Sequence, residues 1–418
     1  MDTSPSTNPT VLLLGSCQFP PDVLRSRAAY KTKVLLRNYV RDNIKIRTPR
    51  PEFALLMAGD NIYADATAGL FDPVDEINRY KKAYELVQES SQEILLNSTS
   101  ILRYSTIDDH EIVDNWEPAN PQPDSSSKEK TAAAENEKLM LQGKQYFIRD
   151  SQSRRFQRNE AKPILEDVKD HGLWYPVNID SAPVFLMDTR TDREPRTLKN
   201  LETAKLITEK QFKDLETWLR QQVDLDEKEA AQFARPKFIL SGSMPLPRTR
   251  RVALAVSSND DGNHIDRSYQ LGSDSWDGYP ATLNKVLALA AELNIKNLFF
   301  LSGDAHIPCI ATATVKDINN NSEIDIGSIH AAPLYAPFPF ANANPADFAA
   351  HDQFSFHINQ QKYKVSIETE FPESGNGFVA IDNSDADKGQ LHVEFHTGQN
   401  AIFSKSIPLA PNTGFGRA

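Results

Sequence analysis

Three short apolar runs in this chain each stop abruptly on a cluster of acidic, histidine or tyrosine residues. They are ALLMAGDNIYAD at 54–65, YSTIDDHEIVDNW at 104–116 and NLFFLSGDAHIP at 297–308. A fourth run, TVLLLGSC, ends in Cys17. Strands that end on charged groups are how a layered α/β protein gathers ligands at one edge of its sheet. One such Asp means little. Four such ends in one chain point to a metal centre, with two ions as the expectation.

A chain of 418 residues can bury a substantial core. Its 39% hydrophobic and 25% charged content are those of a soluble globular protein. No apolar run approaches the roughly 20 residues that span a bilayer, so no transmembrane segment is expected. MDTSPSTNPT at the start has neither the basic nor the apolar region of a secretory signal, which makes a cytoplasmic location the expectation. The net charge of −11 and the lack of a basic block argue against general nucleic-acid binding. Two cysteines, Cys17 and Cys309, exclude a disulfide scaffold, and both are expected to be reduced.

Apolar runs predict buried strands at 11–16, 53–58, 101–107, 183–188, 236–241 and 297–302. Helical spacing predicts helices at 26–41, 73–96, 139–171, 208–223 and 280–294. That alternation implies α/β layers. Residues 117–138 are polar, with three prolines and three consecutive serines, and read as a mobile surface insertion. Alternating strands at 361–410 are expected to complete one side of the sheet. Residues 1–10 and 411–418 read as tails around a single domain at 11–410.

Gly59 permits a sharp turn off its strand and places Asp60 at the strand end, where one carboxylate can bridge two cations. Tyr63 can curl back to the same point, and a phenolate suits ferric iron better than zinc or magnesium. The bland alternative is a helix cap at Asp60. Asp108, Asp109 and Glu111 surround His110, a packing that costs energy unless cations compensate it; the alternative is a solvated acidic loop. Asp114 and Asn115 continue that motif, and Trp116 is expected to pack beneath it. Asp304 and His306 are two apart, so in extended chain both face one site. Cys17 reads either as inert core or as a thiolate ligand. Arg190 and Arg193, in MDTRTDREPR, suit phosphate oxygens, or else pair with Asp188 to hold their loop. Ser243, Arg248, Arg250 and Arg251 form either a phosphate-approach loop or a basic rim. Asp274, Trp276, Asp277 and Tyr279 either line a pocket or anchor a helix start.

Taken in order, GSC at 15–17, GDNIYAD at 59–65, DDHEIVDNW at 108–116, LMDTRTDR at 186–193, SGSMPLP at 241–247, DSWDGYP at 274–280 and LSGDAH at 301–306 resemble the alkaline phosphatase D (PhoD-like) family of metallophosphoesterases. LYAPFPFANANP at 334–345 resembles a late family loop. The resemblance implies a four-layer αββα metallophosphoesterase sandwich with mixed sheets, holding Fe3+ and one or more Ca2+. It implies Cys17, Asp60, Tyr63 and His306 as iron ligands. Asp60 then bridges to a second cation held by Asp109 and Asp304, with Asn115 a weaker candidate. His110 falls on the substrate side of the metals. Unlike in secreted members, neither a twin-arginine signal nor a β-domain is expected before the GSC strand.

The expected function is metal-dependent hydrolysis of a small-molecule phosphate ester, monoester or diester, through a metal-activated hydroxide. His110, Arg190 and Arg193 are the candidate catalytic residues. The competing reading is a phosphatase-like binding protein for a phosphorylated ligand. A nucleotide binder lacks its glycine-rich phosphate loop here.

Overall fold

Strand β1 (Thr10–Gln18) is buried at every position, because both of its faces are covered. That is why it reads as continuous apolar sequence. The computed structural model describes residues 9–19, 27–65, 76–90, 101–122, 124–151, 172–229, 231–257, 268–336, 344–397 and 401–412.

Residues 52–302 supply β2 (Glu52–Ala58), β3 (Leu102–Thr106), β4 (Tyr175–Ile179), β5 (Ala182–Leu186), β6 (Lys237–Ser241) and β7 (Leu298–Ser302). Between them lie α1 (Arg27–Ile46), α2 (Glu76–Gln88), α3 (Ser127–Asp150), α4 (Glu209–Lys228), α5 (Arg250–Ser257) and α6 (Pro280–Glu292). The rest is all strand: β8 (Cys309–Asp317), β9 (Ser322–His330), β10 (Pro333–Tyr335), β11 (His351–Ile358), β12 (Gln361–Glu370), β13 (Gly377–Asp382), β14 (Gln390–Thr397) and β15 (Ala401–Pro408).

These strands form two mixed sheets. The first runs β15-β14-β13-β1-β2-β3, with β10 beside the end of β1. The second runs β11-β12-β8-β9-β7-β6-β5-β4. β1, β2 and β3 are parallel, as are β5, β6 and β7. Leu12, Leu14 and Leu56 of the first sheet pack against Phe238, Leu240 and Leu301 of the second. The outer face of the first sheet buries Leu13 and Leu55 against Leu36 and Val40 of α1. The outer face of the second buries Ile239 and Phe300 against Leu219 of α4 and Leu283 and Leu287 of α6. The result is the four-layer αββα sandwich that the sequence implied.

Three expectations need correction. The helix expected at 139–171 begins at Ser127, inside the supposed insertion, and ends at Asp150; residues 152–171 lie outside the described residues. Ser126 and Glu129 close a reciprocal cap on its first turn, so the serine run starts a helix rather than a loose loop. The helix expected at 73–96 is described only as Glu76–Gln88; residues 73–75 and 91–96 lie outside the described residues, as do 337–343 of the LYAPFPFANANP loop. The tail does not complete one sheet: β12 pairs with β11 and β8 in the second, while β13–β15 extend the first.

Candidate metal centre

The carboxyl ends of the parallel strands in both sheets converge. A Cβ on Gly59 would lie 2.5 Å from Cβ of Asp108, and Gly59 has φ +78°. A Cβ on Gly303 would lie 2.3 Å from Cβ of Ser16 and 2.4 Å from the Ala58 carbonyl oxygen. Glycine at these two positions lets the β2, β3 and β7 loops close on each other.

Among the described residues, four clusters of ligand atoms result, each spanning no more than 4.8 Å: Cys17–Asp60–His306, Asp60–Asp109–His110, Asp108–Asp109–Asp304 and, reaching the exposed Asp114, Asp65–His110–Asp114. Asp60 joins the first to the second, and Asp109 the second to the third. Tyr63 reaches the first through its hydroxyl, 3.4 Å from His306 Nε2. Cys17, Asp60, Asp304 and His306 all have positive φ, as does Asn115. Left-handed backbone is costly for Cys and His, and such outliers gather where function demands them. Asp304 and His306 therefore reach neighbouring clusters, the third and the first, from a left-handed turn beyond the end of β7, not one site from the extended chain expected.

The site is charged beyond what its protein partners offset. Both carboxylate oxygens of Asp60 are buried without a hydrogen bond from any described residue, as are Asp108 Oδ2 and Asp109 Oδ1. Burial pushes the Asp60 and Asp304 carboxyls well above the ordinary carboxylate range, reinforced by their acidic neighbours; His110 opposes this at Asp60 and Arg190 at Asp304. Burial likewise pushes Asp108 up to about 7, against the pull of Arg190. Asp109 goes the other way: burial is outweighed by His110 and Arg190, and it sits below the usual range. Burial and the nearby Asp60 raise the Cys17 thiol, and burial and Cys17 raise the Tyr63 phenol. Burial opposes the charged form of His110, but Asp109, Asp60 and Asp65 prevail and lift it well above the usual imidazole range. Unsatisfied buried oxygens aimed into one space are a fit for cations.

The remaining expected residues fall as follows. His110 is held by Asp65, whose Oδ1 lies 2.9 Å from Nδ1; sequence reasoning passed over Asp65, although it closes the GDNIYAD motif. A carboxylate partner fixes the proton on Nδ1 and turns Nε2 toward the other side of the ring. Asn115 donates its backbone N–H to Asp109 Oδ2, while its side-chain amide faces Asp114 at 3.0 Å. Its backbone N–H thus holds Asp109 in place. Trp116 packs on Ile107, Ile112 and Phe147, as expected.

Arg190 and Arg193 do not present open forks. Arg190 is fully buried; Nε donates to Asp108 Oδ1 at 2.6 Å, and Nη1 and Nη2 donate to the two oxygens of Asp274, both at 2.7 Å. Arg193 Nη1 donates to Asp274 Oδ1 and to Glu117 Oε1 at 2.7 Å. Neither pairs with Asp188, which instead accepts from the N–H groups of Arg190 and Thr191. Arg248 is spent on Asp352, at 2.6 and 2.8 Å. The DSWDGYP segment supplies the counter-ion Asp274, and its Tyr279 hydroxyl donates to Glu117 at 2.8 Å. Cys309 is a buried free thiol on β8.

Comparison with known proteins agrees with this fold. The solved structure of PhoD aligns over 99% of this chain and 74% of that one, with 13% identity and a TM-score of 0.58, a likeness of fold. No curated protein matches the chain in sequence. The family model for PhoD-like phosphatases matches residues 44–373. Four-layer architecture, acidic clusters at the strand ends and that match lead to one assignment: the chain belongs to the PhoD-like phosphatase family.

Proposed function

We propose that this phosphatase-type hydrolase works on phosphoric esters with a dinuclear centre. Cys17, Asp60, Tyr63 and His306 would hold ferric iron, a set whose sulfur and phenol donors suit that ion. Asp60, Asp109 and Asp304 would hold a hard cation such as Ca2+. The observation that carries this reading is Asp60: it belongs to two clusters, and neither of its buried oxygens accepts a hydrogen bond from a described residue. When bound, the ions would supply positive charge to the phosphate oxygens and make water a better nucleophile at neutral pH.

The chain's own groups do the rest. His110, with Nδ1 anchored on Asp65, offers Nε2 to a phosphate oxygen or to the departing alkoxide. Arg190 acts on substrate only through Asp108, because its donors are committed to protein oxygens. A small phosphate ester is the substrate class this centre would take. The test is elemental analysis of the purified protein together with turnover of one monoester and one diester. Protein free of bound metal yet fully active would overturn the reading. Stoichiometric metal with no turnover of either ester would favour a binding role instead.

A further inference from the structure

Glu111 stands inside the DDHE motif but belongs to none of the ligand clusters. It is fully buried. Its Oε2 accepts the backbone N–H of Asp60 at 3.2 Å and that of Asp108 at 2.8 Å. Its Oε1 accepts the backbone N–H of Asn61 and, at 2.8 Å, the Asn61 side-chain amide. That amide also donates to the Thr106 carbonyl at 3.0 Å, at the end of β3. All four groups facing Glu111 are N–H donors. A side chain with an acceptor oxygen at both positions is what meets them together. Glutamine of the same shape sets its own N–H bonds against two of those donors.

The two loops tied by this one side chain carry Asp60 on one side and Asp108–Asp109 on the other. They have reason to separate without cations: their carboxylates repel, and Asp60 holds left-handed backbone at φ 51°. Beyond Glu111, the Asp60 backbone is held at its carbonyl, which accepts Gln18 N–H at 2.8 Å. We propose that Glu111 is a positioning residue: its carboxylate sets the spacing between Asp60 and Asp108–Asp109, and so preassembles the ligands that two cations share. This rests on the metal-dependent reading above.

The test is Glu111→Gln in the full chain, stripped of metal by chelation and titrated with Ca2+ by calorimetry at a temperature where circular dichroism shows it folded. Affinity is expected to fall about 10–100-fold, the usual loss when a residue that orients ligands is removed. Glu111→Asp keeps the acceptor but shortens it by one methylene, so it reaches one loop and loses the other. It should weaken Ca2+ in the same direction. If either variant does not fold without metal, its melting temperature in graded Ca2+ reports the affinity instead. Variants that melt early yet bind Ca2+ as tightly as wild type would make Glu111 a purely structural residue and sink the proposal. Wild-type protein that binds no Ca2+ would sink the metal-centre reading itself, a distinct outcome.

Discussion

The phenol ring of Tyr63 lies against the imidazole of His110, centroids 4.0 Å apart and tilted by 31°, while its hydroxyl reaches His306. One side chain thus touches both the first ligand cluster and the residue proposed to face substrate. Tyr63→Phe keeps the ring contact and removes only the oxygen. With iron bound, Tyr63→Phe and Cys17→Ser are each expected to weaken or shift a visible charge-transfer band. A colourless, iron-free wild type with full activity would contradict this.

Loading the metal-free protein with ferric iron should acidify a weakly buffered solution. Burial raises both the Cys17 thiol and the Tyr63 phenol, so both are neutral near pH 7. Ligation needs both deprotonated, and the raised Asp60 carboxyl adds to them, so at least two protons should appear per iron. A pH-stat titration measures this, and Cys17→Ser should release one fewer.

His110→Ala should keep its metals and lose roughly 10²–10⁴-fold in turnover on esters with poor leaving groups. Nitrophenyl esters should lose less, since their leaving group needs no proton. Asp65→Asn leaves the ring in place with a weaker partner at Nδ1, and should show the same leaving-group dependence at smaller amplitude. Equal losses on both ester types would instead mark His110 as a phosphate contact.

Asp274 is the shared counter-ion of two buried guanidinium groups. Burial opposes its charge, but Arg190 and Arg193 hold its carboxyl far below the ordinary range. Because the folded value is depressed, the stability it contributes is present above about pH 4 and is lost as pH falls below that. Asp274→Asn leaves Arg190 and Arg193 short of an anion and should cost about 3–5 kcal/mol at neutral pH. Urea unfolding should show the gap to wild type closing on acidification; a gap independent of pH would refute the assignment.

Ser126→Ala tests the corrected start of α3. Losing the cap should cost about 0.5–2 kcal/mol in thermal or urea unfolding, with ester turnover unchanged. No measurable cost would mean that the cap contributes nothing.

What was legible in the sequence was whatever a strand announces locally. β1, β2 and β7 are apolar because both faces are covered, β3 is half-buried, and each stops where its ligands begin, so Cys17, Asp60, Asp109 and His306 stood out. The polarity of Ser126–Glu129 was equally visible, but it was read as looseness when it encodes a cap. What was not legible was partnership across distance. Nothing near Arg190 in sequence reveals that Asp108 and Asp274 take its donors, 82 and 84 residues away. Nor does DDHE reveal that its His turns to Asp65 while its Glu turns to the loop after β2. The tail misled for the same reason: strand alternation shows on which face a residue lies, not to which sheet the strand is added.

The placement of β13 beside β1 has a consequence for how the protein is made. Val11 to Leu14 pair with Val379 to Asp382, so one flank of β1 is closed by residues synthesised about 370 positions later. At ribosomal speeds of roughly 5–20 residues per second, that flank waits on the order of 20–70 s for its partner. Through that interval the emerging chain exposes an apolar strand edge next to a half-built layer. Biosynthesis of this protein is therefore expected to draw on chaperones that shield such edges, and a chain truncated before β13 should aggregate rather than rest as a stable intermediate.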